Sequence, residues 1–212
     1  MRYYPVFLDL RDRRCLIAGG GKVAERKALS LFEAGADIVI ISPTLTPRLR
    51  TLMQSGKISH KARPFEDADI AGAYLVIAAT DSEQINSHIG QLCRNGQVLV
   101  NVASPPEESS FIVPSVVDRG ELLIAVSTGG RSPALSKAIR QELGERFGSE
   151  YDIFLRKMSL VRDRLREEVT DEQARRAIFQ TLVESDVLGL LKAGREHEAD
   201  SRIAEITGLK EL

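Results

Sequence analysis

The sequence predicts an α/β protein: a doubly wound parallel sheet, then a small hairpin-plus-helix segment and an all-helical tail. Three observations carry this. Short, fully apolar runs alternate with amphipathic helical stretches through the first half, as parallel strands buried on both faces demand. Two alternating apolar runs around a glycine turn then break that rhythm near residue 114. Beyond residue 148 the apolar residues recur only at helical spacing. The domain boundaries expected are 1–113, 114–147 and 148–212.

The first strand, Cys15 to Ala18, runs straight into Gly19-Gly20-Gly21 and a helix from Val23 to Ala34. Gly19 allows the sharp turn, Gly21 lets backbone approach a pyrophosphate, and Ala24 replaces the third glycine where helix and strand pack closely. This is the Gly-x-Gly-x-x-Ala form of the Rossmann-like dinucleotide turn. Its helix start offers free N–H groups and a positive dipole end to phosphate. The helix carries Ala24, Ala28, Leu31 and Phe32 on one face, and Gly35 stops it. Asp37–Ile41 is the second strand. It ends in Ser42-Pro43-Thr44, with neither a carboxylate for the ribose hydroxyls nor an adjacent arginine for a 2′-phosphate. Ser42 and Thr44 suit a ribose or a helix cap. The residues therefore favour a dinucleotide without deciding between NAD and NADP.

Thr46-Pro47 begins a second helix to about Ser55. Lys57 to Arg63 is a polar, alternating edge strand. Tyr74 to Thr80 is a buried strand, Asp81-Ser82 caps a helix from Glu83 to Arg94, Asn95-Gly96 ends it, and Val98 to Val102 is the fifth strand. Ligands of such sheets sit beyond the carboxyl ends of the strands. That gathers Gly19 to Val23 with Lys22, Ser42 to Thr44, Thr80, Asp81, Val102, Ala103 and Ser104 around one crevice. Phe111 to Val117 and Glu121 to Ser127 read as an antiparallel hairpin turning at Asp118-Arg119-Gly120. Thr128 to Pro133 leads into a helix to about Phe147, with Ser132 as N-cap and Pro133 at N1. Tyr151, Phe154, Leu155, Met158, Val161, Leu165 and Val169 mark one face of the next helix. Thr170 to Gln173 reads as a capping box for a following one, and one or two shorter helices complete the chain.

The 212 residues carry a net charge of −1, with Lys and Arg spread along the chain. This excludes a broad basic field for nucleic acid. No apolar run reaches membrane-spanning length, and no signal-peptide segment opens the sequence. Cys15 and Cys93 read as reduced core thiols of a cytoplasmic protein. His60, His88 and His197 stand far apart, and no metal site is expected.

Five strings in order carry a resemblance: Gly19-Gly20-Gly21-Lys22-Val23-Ala24-Glu25-Arg26-Lys27-Ala28; Ala78-Ala79-Thr80-Asp81; Asn101-Val102; Phe111-Ile112-Val113-Pro114-Ser115; and Ser127-Thr128-Gly129-Gly130-Arg131-Ser132-Pro133-Ala134-Leu135. Over residues 1–147 the chain resembles precorrin-2 dehydrogenase, the sirohydrochlorin-forming module that also makes up the N-terminal part of siroheme synthase. The resemblance implies NAD as oxidant, precorrin-2 as substrate, and a homodimer built through the hairpin and the following helix. It also implies insertion of iron in some members. Substrate contacts then fall to Asn101, Ser127, Thr128, Gly129, Arg131 and Ser132, although the turn from Thr128 to Ser132 is equally suited to capping its helix. The family usually has aspartate, assigned as an acid–base group, at the position of Ser104. Serine cannot act as a base unaided near neutral pH. Glu107 and Glu108 are nearby substitutes or solvated loop charges. Hydride transfer depends mainly on positioning and survives such a loss, whereas chelation suffers. The expectation tilts to a monofunctional dehydrogenase, with a bifunctional precorrin-2 dehydrogenase and sirohydrochlorin ferrochelatase as the alternative. A dinucleotide-sensing module without catalysis is the alternative from another class.

Overall fold

The computed structural model describes residues 3–209, in two compact units that divide after Val113. The first unit is a five-stranded parallel sheet of order β3-β2-β1-β4-β5. Its strands are β1 (Arg14–Ala18), β2 (Asp37–Ile41), β3 (Ser59–Lys61), β4 (Leu75–Ala78) and β5 (Leu99–Val102). Helices α1 (Lys22–Glu33), α2 (Pro47–Gln54) and α3 (Glu83–Asn95) connect them.

Alternation along β1 explains the double winding. Cys15 and Ile17 point into one core with Ala24, Ala28 and Leu31 of α1 and Leu49 of α2. Leu16 and Ala18 point into the other with Ile89 and Cys93 of α3. Both faces of the strand are thus removed from water, which is why its sequence is a continuous apolar run. The two cysteines sit in opposite cores, and burial pushes each thiol up to about 11.

The strand order reverses between β1 and β4, the switch point where such sheets bind ligands. β3 lies at the edge as expected, but only three of the residues from Lys57 to Arg63 pair with β2. Beyond it Asp69, which is almost fully buried, accepts both forks of Arg63 at 2.6 and 2.7 Å and the Lys61 ammonium at 3.0 Å. The Arg63 guanidinium holds the Asp69 carboxyl far below the usual carboxylate range. This ion group takes up the two cations that a longer edge strand would leave in water.

The other edge is finished by side chains. Ser109 and Ser110 hydroxyls accept from the N–H groups of Val102 and Val100, each at 2.8 Å, and Asn101 Nδ2 donates to the Phe111 carbonyl at 3.2 Å. Residues 109–111 therefore run as a strap along β5.

The second unit starts with the hairpin β6 (Ser115–Arg119) and β7 (Leu122–Val126), which pair antiparallel. Two details differ from the sequence expectation. The strap holds Phe111, so β6 begins four residues later. Arg119 pairs with Leu122, so the turn is Gly120-Glu121 rather than Asp118 to Gly120. Gly120 has φ +66, and its position first in a two-residue loop is where primed hairpin turns require glycine.

Helices α4 (Pro133–Arg146), α5 (Glu150–Glu168), α6 (Glu172–Glu184), α7 (Val187–Lys192) and α8 (Glu196–Thr207) follow. The Ser132 side chain caps α4 by accepting from Leu135 N–H. Asp171, not Thr170, caps α6, accepting from Gln173 N–H at 2.9 Å. The Asp171 carboxylate, one residue further on, takes the place of the expected reciprocal box. Phe154, Met158, Val161 and Leu165 of α5 join Leu182, Val187, Leu191, Ala199 and Ile203 in one core. The tail thus has an apolar centre of its own. No helix among the described residues is long and apolar enough to cross a membrane.

Candidate functional site

Gly19 leaves β1 with φ +116, and its amide donates to the Ile41 carbonyl at 2.9 Å. A Cβ there would stand 2.1 Å from the Ala79 carbonyl oxygen, so the turns after β1 and β4 are in backbone contact. Gly20 is closed from the other side: a Cβ would lie 1.9 Å from the Thr44 carbonyl oxygen and 2.8 Å from Ser42 Oγ. Gly21 contrasts with both. It is the N-cap of α1 in extended conformation, has no capping side chain, and a Cβ would meet nothing within 4 Å. Two glycines lock the turn into the sheet, and the third opens it to solvent at an uncapped helix start. This geometry fits a pyrophosphate: open backbone, unpaired helix N–H groups and the positive dipole end coincide.

The turn from Ser42 to Thr44 is braced. Ser42 is buried, and its carbonyl lies 2.9 Å from His60 Nε2. The Thr46 amide donates to the Gly20 carbonyl at 3.1 Å, which ties the β2 turn to the glycine turn. Only Pro43 and Thr44 stand exposed at the tip. Glu25 is buried in the first turn of α1; the Thr46 hydroxyl, followed by the Lys22 ammonium 3.3 Å away, holds its carboxyl below the usual range. Glu25 and Thr46 thus join α1 to the start of α2, a link the sequence motif does not announce.

Thr80 is held by a residue that sequence reasoning missed. Asn86 Oδ1 accepts from the Thr80 amide at 2.9 Å and its hydroxyl at 2.8 Å, and Asn86 Nδ2 donates to the Thr80 carbonyl at 3.1 Å. Its signal was a polar residue in the buried stripe of Asn86, Ile89, Gly90 and Cys93. Val102 is buried at the end of β5, with Ala103 and Ser104 exposed just beyond. The Ala103 amide donates to the Ala78 carbonyl at 2.9 Å.

Gly19 to Val23, Ser42 to Thr44, Thr80 with Asp81, and Val102 to Ser104 therefore converge on one end of the sheet. The two candidate carboxylates differ. Glu107 is exposed on a single turn of 3-10 helix, Pro106–Glu108. The Glu108 carboxyl packs over Gly90 of α3, 3.2 Å from where a Cβ would stand. One of its oxygens is buried there without a hydrogen-bond partner.

Asn101 belongs to the first unit, whereas Ser127, Thr128, Gly129, Arg131 and Ser132 belong to the second. In that turn Thr128 Oγ1 donates to the Ser132 carbonyl at 3.0 Å and accepts from its amide at 3.1 Å. Ser127 Oγ accepts from Gly129 N–H at 3.0 Å. Gly129 and Gly130, at φ +63 and +81, make the reversal. The hydroxyls thus organise the turn and cap α4, and the exposed guanidinium of Arg131 is its outward-facing charge. Among the described residues no group of three or more His, Cys, Asp or Glu is placed to hold a metal ion.

Fold and glycine turn together define a dinucleotide-binding α/β domain. The chain belongs to the putative NAD(P)-binding family, whose model matches residues 6–115. A second model, sirohaem biosynthesis protein central, matches residues 119–146. Similar proteins include the siroheme synthases of Thioalkalivibrio sulfidiphilus, 40% identical over 94% of this chain and 41% of that protein, and of Nitrosococcus oceani, 36% identical over 96% and 43%. The chain thus spans about two-fifths of the length of these relatives. A solved structure described as SirC, precorrin-2 dehydrogenase, has the same fold: TM-score 0.78 and 23% identity over 96% of this chain and all of that one.

Proposed function

We propose that the chain oxidises precorrin-2 to sirohydrochlorin with NAD as oxidant. The observation that carries the proposal is the division of labour among the three glycines, two closed against the sheet and Gly21 open at an uncapped helix start. The names of the relatives supply the substrate.

Bound NAD supplies a hydride acceptor. Gly20, Gly21, Lys22 and Val23 would hold its pyrophosphate, with the Lys22 ammonium adding positive charge beside the turn. Pro43 and Thr44 would be the residues beside its ribose, a side-chain carboxylate being missing there. Thr80, fixed by Asn86, with Asp81, Val102 and Ala103, would line the rest of the crevice. The resemblance assigns substrate contacts to Asn101 in the first unit and, separately, to the turn of the second unit that carries the exposed Arg131 guanidinium. Catalysis here is positioning of a flexible polycarboxylate against the acceptor. The proton lost along with the hydride passes to solvent, onto which Ser104 and the exposed Glu107 both open.

The exposed face of the hairpin supports a homodimer. Val116 and Leu123 are 40% and 43% exposed and share that face with Ala125. A second copy would cover them in an isologous contact. Buried, unpaired Cys15 and Cys93 fit a reducing cytoplasm.

Anaerobic incubation with precorrin-2 and NAD tests the activity. The sirohydrochlorin spectrum should grow in with NAD and stay absent without it. NAD binding without turnover would replace the proposal with a sensing module.

A further inference from the structure

Helices α5 and α6 enclose a cleft of about 220 Å³ lined by Arg162, Arg166, Glu172, Arg175, Arg176 and Phe179. Four guanidinium groups face one carboxylate. Elsewhere on this helical tail several arginines meet carboxylates. Arg156 meets Asp152 at 3.0 Å, Arg164 meets Glu168 at 3.1 Å, Arg195 meets Glu198, and Arg202 meets Asp186 and Glu205. Inside the cleft, Arg176 pairs with Glu172 at 2.6 Å. Among the described residues, no carboxylate pairs with Arg162, Arg166 or Arg175, and these three share the cleft.

Three guanidinium groups thus share one cleft without a carboxylate partner among the described residues. Arg162 and Arg166 stand at i and i+4 on α5, where like charges repel. Arg175 and Arg176 lie near the N-terminal end of α6, the end whose dipole favours anions. Arg175 is fixed in place, with Nη1 donating to the Val169 carbonyl at 2.6 Å and the Thr170 carbonyl at 3.1 Å. Arg162 lies 5.6 Å from the centroid of the Phe179 ring, so one wall of the cleft is aromatic. Planar guanidinium forks gathered at one place match carboxylates on the rim of a larger molecule.

We propose that this cleft is a second anion site, which docks the rim carboxylates of a polycarboxylated tetrapyrrole. The inference rests on the proposed reaction, whose substrate and product both carry that ring of carboxylates. The volume admits one edge of such a molecule. The site captures substrate or retains product.

The test uses the full chain and uroporphyrin, a stable octacarboxylate tetrapyrrole, followed by fluorescence titration. Arg162→Gln with Arg166→Gln should weaken one class of porphyrin site by about tenfold to a hundredfold, as loss of two charge-assisted contacts implies. NAD affinity and the rate with saturating precorrin-2 should stay unchanged. Arg166→Glu, a single change at an exposed position, should give the same loss with the melting temperature retained. Equal porphyrin affinity and stoichiometry in wild type and both variants would overturn the proposal. Displacement of the porphyrin by lower concentrations of ATP would also overturn it, assigning the cleft to a phosphate ligand. A chain that fails to oxidise precorrin-2 but binds porphyrin through these arginines would keep the site and refute the activity.

Discussion

Replacing Gly21 with aspartate separates binding from folding at the glycine turn. Gly21 has φ −82 and ψ −169, which any residue adopts, and its Cβ would enter open space. Aspartate is also a better N-cap than glycine, by a few tenths of a kcal/mol. The variant should therefore melt at the wild-type temperature or slightly above. The new carboxylate would stand where the pyrophosphate approaches. At about 4 Å, two unit charges repel by about 1 kcal/mol in water and about 4 kcal/mol at an effective dielectric constant of 20. With two phosphate charges facing it, a loss of about 2–4 kcal/mol is expected, or about thirtyfold to a thousandfold in NAD affinity. Gly20→Ala is the opposite control. Its methyl would lie 1.9 Å from the Thr44 carbonyl oxygen, so it should lower the melting temperature. Calorimetric titration with NAD, paired with thermal melts, reads both effects. Unchanged NAD affinity in a folded Gly21→Asp variant would refute the assignment of this turn.

Three further outcomes follow from the geometry. Asp69→Asn should cost about 2–3 kcal/mol at neutral pH in urea unfolding, since it breaks a buried carboxylate's ion group whose cations are partly exposed. The Asp69 pKa is depressed in the folded state, so its stabilisation is present above the unfolded pKa of about 4 and is lost as pH falls below it; the variant should show a flatter acid limb, and an unchanged limb would contradict this. Asn86→Ala leaves the Thr80 amide without its acceptor and should cost about 1–3 kcal/mol while weakening NAD binding; full NAD affinity in the variant would show that Thr80 does not shape the crevice. Light scattering at low micromolar concentration should give twice the chain mass of 23.4 kDa, and Leu123→Asp should halve it; a monomeric wild type would remove the dimer.

The first unit was largely legible because its signals are local. β2 has the boundaries its apolar run predicts, Gly35 sits just past α1 at φ +75, and Ser82 and Ser132 cap their helices. What escaped the sequence depends on contacts between distant residues. The edge strand shrank because Asp69 gathers Lys61 and Arg63 beyond it. The hairpin began late because Asn101 and the serines at 109 and 110 hold the preceding chain on β5. In the site, the glycine motif was readable, yet which glycine is open was not: that depends on Ala79 and Thr44 lying against Gly19 and Gly20. The role of Asn86 and the arginine cleft likewise emerge only when helices and turns are placed in space.

In the proposed function the open glycine turn holds the oxidant for a tetrapyrrole dehydrogenation. A single-turnover experiment tests it most directly: limiting precorrin-2, excess NAD and excess protein under anaerobic conditions, with NADH fluorescence and the sirohydrochlorin spectrum recorded together. Equimolar NADH and sirohydrochlorin should appear at one rate, with both lost in parallel when Gly21→Asp replaces the wild type. Sirohydrochlorin formed without NADH, or at an undiminished rate by the Gly21→Asp protein, would contradict it.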